Sequence, residues 1–272
     1  MSPENSVLIF TFHINKLTCK PKNHPIMKNL LIMFYLIVIP TPFFAQEKFE
    51  KDVVKTSAGD LAMTFIGHGT LMFEFNNMVI HIDPVMREAD YIKLPDADLI
   101  LVTHEHGDHL DLTAINHVLK DDCPVILTQA CLDNLEDFKP AVVMKNGDTK
   151  TVKGIMIEAI PAYNIEHKRP GGGPFHPKGS GNGYILTFGD TRVLVAGDTE
   201  NTPEIKALKD IDIAFLPMNL PYTMSPEMVA DAAKAFRPKI LYPYHFGETN
   251  TDKLVQLLKN ETDIEVRIRK LD

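Results

Sequence analysis

From Leu61 onward, short apolar runs alternate with turn-forming residues, and the spacing of the runs predicts strands before helices. Leu61–Ile66, Thr70–Phe75 and Met78–Ile82 are separated by Gly67-His68-Gly69 and by Asn76-Asn77, both favourable turn chemistry. Asp98–Thr103 reads DLILVT, a continuous apolar run that suits a strand covered on both faces. Leu112–Leu119 has helical spacing and Val125–Leu127 is strand-like. Further on, Val152–Ile160, Gly183–Phe188, Arg192–Ala196, Ile213–Leu216 and Lys239–Tyr244 read as strands, and Ile264–Ile268 as a last one. Ser225-Pro226-Glu227 opens a helix to Phe236, with Ser as N-cap, Pro at the first helical position, and Met228, Val229, Ala232, Ala233 and Phe236 on one face. Thr251–Lys259 is a second good helix. Strands first, then strands mixed with helices, predict two sheets with helices outside them, in one α/β domain.

The first 45 residues differ from the rest. Residues 27–45 read MKNLLIMFYLIVIPTPFFA: a basic Lys28, an apolar run Leu30–Ile39, two prolines and a small Ala45. That is the pattern of a secretory signal peptide, and the run is short for a membrane anchor. Residues 1–26 precede it and are expected to be an over-extended reading frame, with Met27 as initiator. The expectation is an exported protein, periplasmic or secreted, with no stable membrane span after cleavage.

Composition narrows the function. The formal charge of −8 becomes −11 once the four lysines and one glutamate of residues 1–45 are removed, which excludes an extended basic surface for nucleic acid. Three cysteines exclude a disulfide scaffold, and Cys123 and Cys131 are expected to be small buried thiols.

The chemistry is concentrated after the DLILVT strand, in Thr103-His104-Glu105-His106-Gly107-Asp108-His109. His104 and His106 are two apart, so an extended backbone points both imidazoles the same way. Gly107 lets the chain turn and carry Asp108 and His109 to a neighbouring position. With 11 His among 272 residues, H-x-H-x-D-H arises by chance on the order of 10⁻³ times per such chain, so capping or incidental hydrogen bonding is the weaker account. Asp198 (AGDT) and His245 (YPYHFG) also follow strands. Either alone reads as an ordinary turn or core residue, but together with the histidine cluster their order along the chain becomes informative.

HEHGDH at 104–109, GDT at 197–199 and the late His245 resemble the metallo-β-lactamase superfamily. GHGTLMFEF at 67–75, Ile82-Asp83-Pro84 and LPMNLPYTMSPEMVADAAKAFRPK at 216–239 extend the resemblance toward the branch of ascorbate-6-phosphate lactonase-like and N-acyl phosphatidylethanolamine phospholipase D-like proteins. It covers about residues 60–270 and implies an αββα four-layer sandwich over residues 46–272. It further implies two divalent cations, zinc foremost with manganese, magnesium or iron as alternatives, sharing a hydroxide. By resemblance His104 and His106 hold the first cation, Asp108, His109 and His245 the second, and Asp198 bridges, so that Asp108, His109 and Asp198 are catalytic. Asp83 matches a carboxylate that orients a ligand from behind. The third histidine usual at the first cation is replaced by Asn164, leaving three outcomes: Asn164 ligates, His167 or His176 substitutes, or a position stays open. His68 lies in a turn where this branch often places a histidine facing the site.

The loop from Ile165 to Asn182 holds five glycines and three prolines, with His167, Lys168, Arg169, His176 and Lys178 among them. Its length and place suggest a substrate-binding lid whose cations meet an anionic group. Two functions follow. One is an exported metal-dependent hydrolase of an ester, lactone, amide or phosphodiester, acting on a small-molecule or lipid-derived substrate. The other is a metal-binding scaffold that lost turnover through Asn164.

Overall fold

Nearly every apolar run is a strand of one of two sheets in a computed structural model that describes residues 49–271. The signal-peptide segment and residues 1–26 lie outside the described residues. The first sheet contains β1 (Glu50–Thr56), β2 (Gly59–Gly67), β3 (Thr70–Phe75), β4 (Met78–Ile82), β5 (Leu99–Leu101), β6 (Val125–Leu127) and β7 (Ala141–Val143), in that spatial order. Strands β1 to β4 form an antiparallel meander, and β4 to β7 run parallel. Parallel neighbours need crossovers, and α1 (Leu112–Val118) and α2 (Gln129–Asp133) lie in two of them.

The second sheet follows the same plan. β8 (Thr149–Val152), β9 (Ile155–Ala162), β10 (Gly181–Phe188) and β11 (Thr191–Val195) are antiparallel. β12 (Ile213–Pro217), β13 (Ile240–Tyr244) and β14 (Glu265–Val266) continue from β11 in parallel. The crossovers hold α3 (Pro203–Lys206), α4 (Pro226–Phe236) and α5 (Thr251–Leu258).

Alternation along the strands explains the layering. Leu99 and Leu101 of β5 face the core between the sheets, whereas Ile100 and Val102 join the cluster under α1 and α2. That is why DLILVT carries no polar break. Between the sheets Phe65 and Phe73 meet Phe215, Tyr242 and Phe188, with ring centroids 5.0 to 6.3 Å apart. Burying each such ring stabilises the fold by roughly 2–3 kcal/mol. Val229, Ala232, Ala233 and Phe236 of α4 and Leu254 and Leu258 of α5 cover the second sheet. The result is the αββα sandwich. Tyr242 and Tyr244 are fully buried packing residues, and Cys123 and Cys131 are separate buried thiols. Among the described residues no helix is long and apolar enough to cross a membrane.

Helix α4 begins as its sequence predicts: Ser225 accepts from the Met228 N–H, and Pro226 takes the first helical position. Other boundaries differ. The run Val152–Ile160 is a hairpin, broken at Lys153-Gly154, where both residues have positive φ (49° and 85°). The polar edge strand β1 has an exposed alternation with too few apolar residues to register as a run. The expected strand Ile264–Ile268 pairs only over Glu265–Val266.

His81 on β4 is structural. Its Nε2–H donates to the Pro95 carbonyl at 3.0 Å, and burial pushes the imidazole down to about 4 against the usual 6.5. Below pH 6.5 the unfolded chain takes up a proton that the folded chain refuses until about pH 4. The stability this withholds is fully present above pH 6.5 and lost as the pH falls. Urea melts at pH 7 and 4.5 should show His81→Leu losing about 2–3 kcal/mol less than wild type on acidification; an equal loss in both proteins would contradict the assignment.

Candidate metal centre

The donor-bearing residues converge because each follows a strand at the same edge of the sandwich: His68 after β2, Asp83 after β4, the 104–109 cluster after β5, Asp198 after β11 and His245 after β13. Three groups of donor atoms could each hold a metal ion: His104, His106 and His176; His68, Asp108 and His245; and His104, His109 and Asp198. In the first, His106 Nδ1 lies 3.1 Å from both His104 Nε2 and His176 Nε2. Beside it, His245 Nε2 lies 3.5 Å from Asp108 Oδ2, and His109 Nε2 lies 3.9 Å from the same oxygen. Asp198 stands between: Oδ2 is 3.3 Å from His176 Nε2 and 3.4 Å from His245 Nε2, and Oδ1 is 3.4 Å from His109 Nε2.

These donors fit cations. The buried atoms His109 Nε2, His245 Nε2 and Asp198 Oδ1 have no hydrogen-bond partner. Orphaned polar atoms cost free energy in a protein interior. Several orphans aimed at one another make sense around a positive ion, which accepts lone pairs from all of them.

The atoms facing away from the centre are hydrogen-bonded, and this sets which nitrogen is free. Asp83 Oδ2 receives His109 Nδ1–H at 2.7 Å and the Thr103 hydroxyl at 2.7 Å, while Oδ1 receives the Thr103 N–H at 2.7 Å. His104 Nδ1 is 3.0 Å from the same hydroxyl oxygen. Burial alone would lower the His109 pKa, but the carboxylates of Asp198, Asp83 and Asp108 outweigh it and push the imidazole up to about 9. His104 is driven well below 6.5, chiefly by burial and then by the neighbouring imidazole of His109. Gly69 lets the rings approach: a Cβ there would lie 2.7 Å from His109 Cε1.

Asn164, His167 and His176, the candidates for a third position beside His104 and His106, lie in different surroundings. Asn164 does not face the donors. Its Oδ1 receives His176 N–H and Nδ1–H, both at 2.8 Å, and its amide donates to Glu200 Oε1 and the Tyr222 carbonyl. His176, reached through the long loop, brings a third imidazole beside His104 and His106. His167 turns to Glu200 instead, its Nδ1 2.8 Å from Oε1. Asn164 thus stands behind His176 and bonds to it. Glu200, fully buried, is the residue that sequence reasoning missed; its only signal was an acid two places after Asp198 in AGDTE.

Above the donors opens a cavity of about 430 Å³, lined additionally by Arg87, Arg169, Phe175, Asn219 and Tyr222. Phe175 and Tyr222 pack edge to face, with centroids 5.1 Å apart.

Residues 62–245, which bracket the whole donor set, match the family model of a beta-lactamase superfamily domain. The chain belongs to that superfamily. Curated relatives include the UPF0173 metal-dependent hydrolase MK1542 of Methanopyrus kandleri, 28% identical over 201 residues, covering 69% of this chain and 84% of the relative. A UPF0173 metal-dependent hydrolase of Pelotomaculum thermopropionicum is 26% identical over 225 residues, covering 76% of this chain and 96% of its own length. A crystal structure of a Parabacteroides distasonis protein is 50% identical, with a TM-score of 0.78, and covers 83% of this chain and 100% of that one. The metallo-hydrolase Igni18 of Ignicoccus hospitalis, 22% identical over 78% of this chain and 95% of that one, shares the fold with a TM-score of 0.65. As a member of this superfamily with such relatives, the chain is a metal-dependent hydrolase.

Asp83 accepts the His109 Nδ1–H from behind the donor cluster, and its φ of 47° is one that Asn also tolerates. Asp83→Asn should keep the fold yet weaken cation binding about 10–100-fold in chelator competition. Wild-type affinity in that variant would show that the carboxylate does not tune His109.

Proposed function

We propose that this hydrolase works with two cations sharing Asp198, one held by His104, His106 and His176, the other by Asp108, His109 and His245. The observation that carries this is the placement of Asp198, whose two oxygens lie 3.3–3.4 Å from imidazole nitrogens of both groups. Such a pair would supply an activated water and polarise the bond to be cleaved. Imidazole-rich donors favour zinc, with iron next, over manganese or magnesium.

The remaining roles belong to the chain. Asp83 and Thr103 hold His109 and His104 with Nε2 turned inward. Arg87 and Arg169 bring positive charge to the cavity, suiting an anionic group, and Phe175 and Tyr222 give it an apolar wall. An ester, lactone, amide or phosphodiester carrying an anionic group, small or lipid-derived, is the substrate class that these features accept. Export, supported by the pattern at 27–45, would have the mature protein begin at Gln46.

Metal analysis of the purified chain should give two equivalents, with hydrolysis in a panel of generic ester, lactone, amide and phosphodiester substrates. His109→Ala and Asp198→Ala should each lower metal affinity and turnover more than about a hundredfold, beyond what loss of an outer hydrogen-bond partner costs, with circular dichroism unchanged. Full metal content in both variants would refute the two-cation centre.

A further inference from the structure

The long loop after β9 brings His176, Arg169 and Phe175 to the cavity, yet among its described residues it has only one isolated β-bridge, Lys168 with Pro174. Its start is held by one backbone bond, from the Asn164 N–H to the His176 carbonyl at 2.9 Å, and by a buried carboxylate, that of Glu200. Glu200 Oε2 accepts the N–H groups of Ile165 and Glu166 at 2.8 and 2.7 Å. Oε1 accepts the N–H of His167 at 2.7 Å, its Nδ1–H at 2.8 Å and the Asn164 amide at 3.1 Å. Three consecutive backbone N–H groups closing on an anion form a nest. All five donors need an acceptor-only group, which an ionised carboxylate is and an amide is not.

The Asn164 amide passes this constraint on. With its NH₂ spent on Glu200 and the Tyr222 carbonyl, its oxygen must face the other way, where it receives both N–H groups of His176. With Nδ1 of His176 holding that proton, the lone pair sits on Nε2, 3.1 Å from His106 Nδ1 and 3.3 Å from Asp198 Oδ2.

We infer that Glu200 is a positioning residue: it clasps the loop after β9 and, through Asn164, fixes the ring of His176 as the third donor beside His104 and His106. Because Glu200 lies two residues beyond Asp198, one short segment after β11 holds both the shared carboxylate and the clasp. The inference rests on reading His104, His106 and His176 as a cation site, and it sets Glu200 apart from a residue that merely stabilises the fold.

The test is Glu200→Gln in the full chain, with His176→Ala as reference. Cobalt(II) titration followed by its visible spectrum reads the two sites, and limited trypsin digestion reads the loop at Lys168 and Lys178. In Glu200→Gln, binding at the site of His104, His106 and His176 should weaken about 10–100-fold, with the other site within about threefold of wild type. Cleavage in the loop should be at least about tenfold faster, because the local opening is easier. His176→Ala should lose the same site without the faster cleavage. Wild-type affinity at both sites of Glu200→Gln overturns the inference, and so does loss of both sites together with cooperative melting. If wild type takes up a single equivalent, the two-cation reading fails. Cleavage then decides the clasp: faster cleavage in Glu200→Gln supports it and equal rates overturn it.

Discussion

A buried carboxylate among four imidazoles is the constraint around which this molecule is arranged. Asp198 is nearly inaccessible, and His104, His109, His176 and His245 all direct Nε2 toward its oxygens at 3.3 to 3.9 Å. Burial would raise its pKa, but the surrounding imidazoles hold the carboxyl well below the usual range. Without a cation the donors crowd one another in a low-dielectric interior, an arrangement that costs stability. Ion binding would repay that cost, so affinity and folding are coupled here.

The scaffold meets the cost by strain and by hydrogen bonds from outside the centre. His68, Asp83 and His245 all adopt left-handed backbone conformations, with φ of 46°, 47° and 50°. Non-glycine residues persist there only when their surroundings over-determine them, and such strain is concentrated at functional sites. The determination is visible. The His245 N–H donates to the His68 carbonyl, the Asp83 N–H to the Leu101 carbonyl, and the Thr70 hydroxyl to the Asp83 carbonyl. These bonds tie the ends of separate strands, from both sheets, into one rigid edge. Behind them the aromatic contacts of Phe65, Phe73, Phe215 and Tyr242 hold the sheets face to face, so relative sliding would break the centre and the core together.

Much of this is legible along the chain because it is local. H-x-H-x-D-H places four donors within six residues directly after a strand, so their closeness is readable without any knowledge of the fold, although the chain already bends at Glu105-His106. The apolar runs, the Ser225-Pro226 helix start and the strand-end positions of Asp198 and His245 are readable for the same reason. The hairpin at Lys153-Gly154 was hidden by apolar residues on both sides, and β1 by its exposed polar alternation.

The sequence by itself determined the ligand chemistry, the layer architecture and the strand ends from which most donors project, since periodicity and short-range spacing encode them. Tertiary structure alone brought His176 beside His104 and His106, and bonded it to Asn164 and Asn164 to Glu200. That arrangement depends on how an irregular loop folds back, through hydrogen bonds between Glu200 and residues more than thirty positions away. No periodicity carries such information, because the donors are backbone N–H groups that every non-proline residue possesses. Only the three-dimensional path of the chain selects which of them meet a carboxylate.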